Sequence, residues 1–580
     1  MIHTKGKMMS AVLRRSLLIT TLALPMLAAM PAAWAQTAGP ALSLVLKPAS
    51  AEATSLVPYV DVEITLTDMQ TPAGEGLLRL PTVASNVVTV ADAITGLTAT
   101  DSQGPLSLTS HDEPEQGLTA YRIWHADRAV SGTVTVRYRA PITNAPLVRG
   151  AAPPYNLRSE TGGFSAAGNN FVILPADSSR PYDISLRWDL SAQPQGAVGL
   201  SSLGIGNANL TDQPAERLSD TYYMAGTVGL YPADGQSKGY FGSWQGNPPF
   251  DGGGLLAWGD TLHAFYSRFF GDSTPGAYGV FMRPNPVNPG GGVELTNSFA
   301  LTFDDKTDLD DLKITLAHEM LHTWVNSLDE PKGLLSSWFG EGLAVFYQRA
   351  LPLRAGMIDE DQFLKDLNFH AGRYYTNALA NTPNDEIPSR FWADTRVRVL
   401  PYDRASLYFA HVDWQLRQQS KGKRSLDDLV HLLLARRKAG EKLVQADWES
   451  LITKELGTQG LTEFQAMMKG ALVLPASDAF GPQFQRTTKR LRRYELGFDP
   501  TSLTRNPRMV SGVIPGSAAD RAGLRDGDQI MKPVGQDGLQ GQQEGWLVLD
   551  IKRGEERLEI RYQPRGEEVD AWQWERAPAR

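Results

Sequence analysis

Residues 314–325 read Ile-Thr-Leu-Ala-His-Glu-Met-Leu-His-Thr-Trp-Val, and they place His318, Glu319 and His322 in the pattern H-E-x-x-H. The apolar residues of this segment recur at helical spacing, and it contains neither Pro nor Gly. On a helix, residues four apart lie on one face, so both imidazoles can bind a single Zn²⁺ while Glu319 lies beside the open coordination position. Two unrelated surface or core histidines are the weaker explanation, because the chain has only 9 His.

The site needs a third ligand, and Glu341 lies at a suitable distance along the chain. Residues 338–344 read Trp-Phe-Gly-Glu-Gly-Leu-Ala and follow a break at Pro331. Ser336 or Ser337 can cap a second helix there, which would carry Glu341 back toward the histidines. A catalytic zinc takes three protein ligands and keeps one position open for water, and two His with one Glu is a known set.

We therefore predict one Zn²⁺ per chain, held by His318, His322 and Glu341, with Glu319 as the general base. The 18 residues between His322 and Glu341, with a helix on each side, resemble the gluzincin superfamily, which includes thermolysin and the zinc aminopeptidases. The resemblance implies that zinc activates a water and polarises the scissile carbonyl, while Glu319 takes the proton and passes it to the leaving amine. The hydrogen-bond partners of the histidines are not assigned by the sequence, and Asn326, one turn past His322, is a candidate.

The first 35 residues have the layout of a secretory signal peptide. They contain four basic residues, an apolar run over 17–29, and Ala-Trp-Ala at 33–35. A membrane anchor is the weaker alternative, because the run is shorter than the roughly 20 residues that a bilayer requires and Pro25 interrupts it. The pair Arg14-Arg15 leaves a twin-arginine export route open. We expect cleavage after residue 35 and a protein in the bacterial periplasm or outside the cell.

Composition narrows the class of protein further. The chain has no cysteine, so its stability in an oxidising compartment comes from core burial and not from disulfides. Its net charge is -8, and removal of the four basic residues of the signal makes it more acidic, which argues against nucleic acid as a partner. No stretch after the signal approaches a membrane span, so we expect no span after cleavage.

Hydrophobic periodicity divides the chain into regions. Apolar residues alternate in short runs such as 62–67 and 184–190, which predicts antiparallel strands. Residues 235–292 are rich in Gly, Pro and aromatics and are predicted to hold strands and loops, whereas helical spacing holds from about 311 to about 475. We predict a multidomain α+β protein with a signal peptide at 1–35, an antiparallel β domain at 36–234, a thermolysin-like gluzincin catalytic domain at 235–355, a helical domain at 356–485 and a PDZ domain at 490–575.

A candidate for oxyanion stabilisation lies downstream of the zinc motif. Residues 401–405 read Pro-Tyr-Asp-Arg-Ala and resemble the P-Y-x-K-G stretch of the zinc aminopeptidases, with Arg404 in place of the Lys and Ala405 in place of the Gly. The resemblance implies that the Tyr402 hydroxyl is the donor to the tetrahedral oxyanion. Three other tyrosines are alternatives: Tyr374, Tyr375 and Tyr408.

A glycine-rich segment precedes the zinc motif. Residues 290–295 read Gly-Gly-Gly-Val-Glu-Leu; glycines let a backbone approach a ligand closely, and a carboxylate can pair with an α-amino group. A plain glycine turn beside an edge strand is the alternative. The zinc aminopeptidases carry G-x-M-E-N here, and the glycyl aminopeptidase family carries G-G-x-E-H. This chain keeps Gly291, Gly292 and Glu294 but has Leu295 in place of the His, and the resemblance implies that the three retained residues bind the substrate's N-terminus.

The C-terminal region resembles a PDZ domain. Residues 494–498 read Tyr-Glu-Leu-Gly-Phe, similar to the carboxylate-binding loop, and residues 513–530 are similar to the strand, small helix and turn that follow it. Backbone N–H groups of Leu496, Gly497 and Phe498 can then hold the C-terminus of a protein partner while the peptide adds to the sheet edge. A degenerate module that only packs against the catalytic body is the alternative.

The order of a β-rich region, a gluzincin core with G-G-x-E and a PDZ domain resembles the glycyl aminopeptidase family. The resemblance implies a zinc aminopeptidase that removes small N-terminal residues such as Gly or Ala from peptides. Two alternatives remain: a zinc endopeptidase, and a peptide-binding protein that acts through its PDZ domain with little catalytic activity.

Overall fold

The computed structural model describes residues 39–51, 55–117, 119–145 and 153–578. The predicted signal peptide lies outside these residues. Among the residues that are described, no helix is both long enough and apolar enough to cross a membrane.

The N-terminal region is built of short strands, because apolar residues occupy every second position. In β2, for example, Val60, Val62, Ile64 and Leu66 are buried and the residues between them face outward. Strands β1 and β13 pair in parallel, and the other pairs described in these sheets are antiparallel. The elements are β1 (Ala41–Pro48), β2 (Tyr59–Thr71), β3 (Gly76–Ala84), β4 (Val87–Val88), β5 (Thr95–Asp101), β6 (Gly104–Leu106), β7 (Leu108–Asp112), β8 (Ala120–Ala126), β9 (Val130–Pro141), β10 (Arg158–Glu160), β11 (Gly163–Ala167), β12 (Leu174–Pro175), β13 (Pro181–Trp188), β14 (Val198–Ser201), β15 (Gly204–Ile205), β16 (Ala208–Pro214), α1 (Glu216–Ser219) and β17 (Tyr222–Gly226).

A mixed sheet and a group of helices follow. The sheet has the strand order β18-β19-β20-β22-β21, which leaves β21 at an edge. The elements are β18 (Gly229–Tyr231), β19 (Tyr240–Trp244), α2 (Gly252–Phe269), β20 (Tyr278–Pro284), β21 (Gly292–Leu295), β22 (Ser298–Phe303), α3 (Leu309–Leu321), α4 (Ser337–Arg354), α5 (Glu360–Tyr375), α6 (Ile387–Arg390), α7 (Thr395–Arg398), α8 (Leu400–Gln419), α9 (Leu426–Lys438) and α10 (Gln445–Met468).

Residues 235–292 contain helix α2 in addition to the predicted strands and loops. The Asp251 side chain caps this helix by accepting a hydrogen bond from the Gly254 N–H, and Leu255, Leu262 and Tyr266 are buried along one face. Three glycines in its first turn weaken the helical signal, since Gly has low helix propensity.

A C-terminal ribbon and a small module complete the described chain. The ribbon pairs β23 (Phe484–Tyr494) with β27 (Arg565–Arg576). Between these strands lie residues 495–564, here termed the C-terminal module, which has its own apolar core. Its elements are α11 (Ala518–Arg521), β24 (Gln529–Ile530), α12 (Asp537–Gly541), β25 (Leu547–Arg553) and β26 (Glu556–Tyr562).

One apolar core joins the zinc-motif helix to both later regions. It includes Leu316 and Met320 of α3, Leu343 of α4, Phe409 of α8 and Trp574 of β27. The residue ranges predicted as a catalytic and a helical domain therefore share a single core. This core fixes the positions of α3, α4 and α8, which carry the predicted site residues.

Candidate active site

The three predicted metal ligands lie together. His318 is on α3, His322 is the first residue beyond it, and Glu341 is in the second turn of α4. One ligand atom from each residue lies within 4.8 Å of the other two. The His318 and His322 side chains are 12% and 11% exposed, so the cluster is nearly buried.

The spacing of these atoms fits a tetrahedral zinc. The Glu341 Oε2 atom is 3.3 Å from His318 Nε2 and 3.5 Å from His322 Nε2, and the two Nε2 atoms are 3.3 Å apart. Atoms bound at about 2.0–2.2 Å from a tetrahedral zinc lie roughly 3.3–3.6 Å from one another. Glu341 Oε2 is buried without a hydrogen-bond partner, which a bound cation would remedy.

Both histidines are oriented through their other ring nitrogen. Nδ1 of His322 donates to the Val325 carbonyl at 3.1 Å, and Nδ1 of His318 lies 2.8 Å from Gln348 Oε1. In each ring, Nε2 is therefore left to face the metal. Asn326, the candidate for this role, is not the partner of either Nδ1 atom: the helix ends at His322, and the Val325 carbonyl lies against the His322 ring.

Gln348 has a fixed orientation. Its Nε2 atom donates to both carboxylate oxygens of Asp366 at 3.0 Å, so its Oε1 atom must be the acceptor for His318. Asp366 also accepts a 2.6 Å hydrogen bond from Arg349. Gln348 Nε2 further lies 3.3 Å from His370, whose Nδ1 is 2.7 Å from Asp403. Sequence reasoning missed Gln348, since a lone Gln carries no motif.

The electrostatics of the cluster favour a cation at its centre. Burial lowers the pKa of His322, but the adjoining Glu341 carboxylate outweighs this effect and raises the pKa to about 10. The site thus attracts positive charge, whether a proton or a metal ion. Burial raises the pKa of Glu319 above its ordinary value, and the two histidines lower it only in part. A raised pKa suits a carboxylate that must accept a proton.

Tyr402 lies beside the metal ligands. Its ring stacks near the His318 ring, with centroids 6.1 Å apart. Burial raises the pKa of Tyr402 well above its ordinary value, and the Glu341 and Glu319 carboxylates raise it further, so the hydroxyl keeps its proton. The alternative tyrosines have hydrogen-bond partners in the core: Tyr374 and Tyr375 bind the backbone of Val473, and Tyr408 binds Trp448.

Glu294 lies on β21, the edge strand next to the zinc-motif helix. Gly292 pairs with Leu301 of β22, and a Cβ at Gly292 would lie 1.9 Å from the Phe299 ring, so no larger residue fits there. A Cβ at Gly291 would lie 2.8 Å from Asn288. The glycines thus let this edge strand lie close to its neighbours while it presents Glu294 to the site.

Glu294 lines a cavity of ≈ 470 Å³ that also reaches the metal ligand His322. Desolvation by the surrounding protein raises the pKa of Glu294. The Glu319 and Glu341 carboxylates raise it further, whereas His322 lowers it. Asp220, from the turn before β17, contributes a second carboxylate to this cavity. No sequence signal marked Asp220, because it belongs to a region distant from the motif along the chain.

Leu295 lies on the opposite side of β21 from Glu294, as alternate residues of a strand do. Its side chain is 9% exposed and packs in an apolar cluster with Tyr222, Phe281 and Ala300. The family's His at this position is thus replaced by a residue that suits an apolar setting, and the exchange leaves the Glu294 carboxylate in the cavity.

The predicted carboxylate-binding loop lies apart from the zinc site. Leu496 and Phe498 are buried in the core of the C-terminal module, and Gly497 has φ +84°. The chain after the loop forms a short 3₁₀ helix, Pro500–Leu503, where peptide addition would require a strand. Binding of protein C-termini by this loop stays a prediction.

One sequence family and several solved structures are similar to this chain. Residues 312–393 match the sequence model of the M61 glycyl aminopeptidase family. No curated protein sequence matches the chain. A solved structure of an aminopeptidase N family protein from Idiomarina loihiensis has a TM-score of 0.61 and 15% identity, and the match covers 91% of this chain and 97% of that one. It shows a shared fold: a β-rich N-terminal region followed by a helical part.

Two further solved structures have lower scores. An M1 zinc metallopeptidase from Deinococcus radiodurans bound to Tyr-Ser-Ala has a TM-score of 0.43 and 15% identity, covering 75% of this chain and 96% of that one. Leukotriene A4 hydrolase from Saccharomyces cerevisiae has a TM-score of 0.43 and 12% identity, covering 74% and 67%. Residues 312–393, which contain the zinc motif and Glu341, are thus similar to the M61 glycyl aminopeptidase family, and the chain is a metallopeptidase.

Proposed function

We propose that this protein is an aminopeptidase with one zinc ion, which releases small N-terminal residues such as Gly and Ala from peptides. The observation that carries the proposal is the position of Glu294. Its carboxylate lies in the cavity that begins at the metal ligand His322, where it can pair with a free α-amino group. An endopeptidase has no need of an anionic group at that place.

The cavity around Glu294 supports recognition of an N-terminus. Two carboxylates, Glu294 and Asp220, attract an ammonium group. Tyr155 and Tyr278 form part of the wall, and they limit the space for the side chain of the first residue. The preference for Gly or Ala rests on these walls and on the family resemblance.

The residues around the metal have complementary roles in peptide hydrolysis. Zinc, when bound to His318, His322 and Glu341, supplies an activated water and polarises the scissile carbonyl. Glu319 accepts the proton of that water and then delivers it to the leaving amine. The Tyr402 hydroxyl donates a hydrogen bond to the carbonyl oxygen as negative charge develops on it.

A library of peptides with free and with acetylated N-termini tests the proposal. We expect release of the first residue only from free peptides, highest for Gly and Ala, and abolished by a chelator. In Glu319→Gln, kcat should fall by about 10²–10⁴-fold with the zinc content unchanged. Glu330→Gln, an exposed glutamate outside the cluster, is the matched control and should keep its activity.

Two results would overturn the proposal. Equal cleavage of acetylated peptides at internal bonds would identify an endopeptidase. Absence of hydrolysis and of zinc, with retained binding of C-terminal peptides, would identify a binding protein that acts through Leu496, Gly497 and Phe498.

We also propose that the protein works in the periplasm or outside the cell. The support is the signal-like layout of residues 1–35. Fractionation of cells that express the full chain tests this, and N-terminal sequencing of the exported protein would locate the cleavage.

A further inference from the structure

A long cleft begins beside the zinc site and runs under the C-terminal module. Its volume is ≈ 1260 Å³, and it lies between one wall that includes residues 286–292, Trp392 and Tyr402 and another formed by the module. A smaller cavity of ≈ 450 Å³ touches His318. The two share five lining residues, so they form one continuous path that reaches the ligand His318: Pro289, Gly290, Tyr402, Gly538 and Gln542.

This path is separate from the Glu294 cavity. The Glu294 cavity touches the metal ligand His322, whereas the path touches His318 and Tyr402, and the two have no lining residue in common. If the N-terminal residue of a substrate occupies the Glu294 cavity, as the proposed function requires, the path past Tyr402 is open to the rest of the peptide. This path leads into the cleft under the C-terminal module.

The walls of the cleft have the character of a binding surface. Trp392, Trp546 and Val548 line it and are 53%, 51% and 46% exposed. They are three of the ten large hydrophobic side chains that stay exposed in the described part of the chain, and such clustering marks interaction sites. An arginine lies over each indole, Arg398 at 5.9 Å from Trp392 and Arg561 at 4.6 Å from Trp546.

The charges and size of the cleft indicate a peptide chain as the occupant. Lys532 and Arg557 both pair with Asp550, and Arg398 pairs with Asp537, so these cations are already compensated and do not call for an anionic ligand. The cleft is larger than the roughly 300–1,000 Å³ typical of small-molecule sites. An extended peptide fits both the length and the apolar walls.

The module is held in place as a fixed wall. The Asp537 carboxylate accepts hydrogen bonds from Arg398 at 2.7 and 2.9 Å, and its backbone carbonyl accepts one from Arg373 at 3.1 Å. A Cβ at Gly541 would lie 2.4 Å from the Phe369 ring, so α12 lies directly against α5.

We infer that the substrate residues downstream of the scissile bond lie in this cleft, against Trp392 and Trp546, so that the enzyme selects oligopeptides over dipeptides and amino-acid amides. The inference rests on the proposed function. It gives the C-terminal module a role in substrate selection, in addition to any binding of protein C-termini by Leu496, Gly497 and Phe498.

Substrates of increasing length test the inference. With an alanine N-terminus and neutral residues after it, kcat/KM should rise about tenfold or more from dipeptide to hexapeptide. Trp546→Ala and Trp392→Ala should each reduce the ratio of hexapeptide to dipeptide kcat/KM about tenfold, since buried tryptophans dominate binding surfaces. Trp546→Phe should keep most of the ratio. Leu432→Ala, which removes an exposed apolar side chain outside the cleft, should leave the ratio unchanged.

A binding measurement separates this test from catalysis. In the Glu319→Gln background, the hexapeptide should bind more tightly than the dipeptide by calorimetry, and Trp546→Ala should remove that advantage. Equal kcat/KM at all lengths, or equal losses on short and long substrates in both tryptophan variants, would overturn the inference. Failure of the proposed function looks different, because acetylated peptides would then be cut as fast as free ones.

Discussion

At the scale of single residues, Gln348 determines which nitrogen of His318 faces the metal. Its amide is fixed by Asp366, and its oxygen accepts the Nδ1 proton of His318. Gln348 lies 30 residues after His318, the ligand that it orients. A group that touches no metal thus contributes to metal affinity.

Gln348→Met tests that contribution. The variant keeps a side chain of similar length but removes the acceptor for His318, so zinc affinity should fall about 10–100-fold. Competition with a chromophoric chelator measures the affinity. Gln459→Met on the exposed face of α10 is the control and should bind zinc as the parent does. An unchanged affinity in Gln348→Met would show that the His318 ring is oriented by packing alone.

Tyr402→Phe tests the oxyanion donor. Loss of the hydroxyl should lower kcat about 10²–10³-fold with KM and zinc content nearly unchanged, because the interaction forms only as charge develops. Steady-state kinetics on an alanine peptide provide the measurement. Tyr375→Phe removes a hydroxyl that donates to the Val473 carbonyl, and it should keep kcat. Equal kcat in the two variants would exclude Tyr402 as the donor.

At the scale of elements, the contact between α4 and α8 brings Glu341 and Tyr402 together. Gly342 lies at this contact, where a Cβ would be 2.4 Å from the Ala405 Cβ and 3.0 Å from the Phe409 ring. The close approach of the two helices therefore depends on a residue without a side chain.

Gly342→Ala should force the helices apart. We expect a loss of about 1–3 kcal/mol in the free energy of unfolding and a lower kcat/KM, although Gly342 has no catalytic group. Gly253→Ala in α2 is the matched control, because its Cβ would meet only ordinary contacts at 3.5 and 3.8 Å. Denaturant unfolding and kinetics measure both effects. Normal stability in Gly342→Ala would mean that the backbone can shift without cost.

Helices α5 and α8 are joined by a buried charge cluster that has a predictable pH dependence. Burial by itself raises the pKa of Asp403, but Arg373 and His370 outweigh it, and the pKa lies below its ordinary value. The stabilisation is therefore complete above the unfolded pKa of about 3.9 and is lost as the pH falls through the lower folded pKa.

Asp403→Asn should destabilise the protein by about 3–5 kcal/mol at pH 7, because Arg373 and His370 lose a buried partner. The difference from the parent should begin to shrink below about pH 4, where the carboxylate of the unfolded parent takes up a proton, and it should shrink further as the pH falls through the lower folded pKa. Chemical denaturation at pH 7 and pH 3 measures it. The exposed Asp385→Asn should show no such change. A difference that is constant with pH would contradict the assignment.

At the scale of the whole molecule, the β23–β27 ribbon ties the end of the described chain to the catalytic core. Trp574 is fully buried against Phe480, with ring centroids 5.0 Å apart, and its backbone N–H donates to Asn368 of α5 at 2.7 Å. The C-terminal module is thus an insertion between two strands that belong to the core of the enzyme.

Trp574→Ala should lower the free energy of unfolding by about 3–5 kcal/mol, since it leaves a large cavity in the shared core. Zinc loading and activity should be lost at lower denaturant concentrations than in the parent. Glu575→Ala, the exposed neighbour, should unfold like the parent. Loss of activity in Trp574→Ala without loss of stability would instead place Trp574 in substrate binding.

The sequence allowed prediction of those features that depend on local spacing. The ligands His318, His322 and Glu341 follow from helical periodicity and a short turn, and they do lie together. Helix α2 was missed because three glycines obscure its first turn. Gln348 and Asp220 were missed because each reaches the site from another element, and single polar residues acquire a role only when the tertiary fold brings them there.

The position of Trp574 also has a consequence for when the core of the protein is completed during synthesis. A nascent chain lacks β27 until the ribosome has passed residue 576, and the core behind the zinc-motif helix includes that strand. The catalytic core therefore closes only after β27, and the C-terminal module that precedes it, have been made. The order of synthesis thus places the whole C-terminal module before the strand that completes the core behind the metal site.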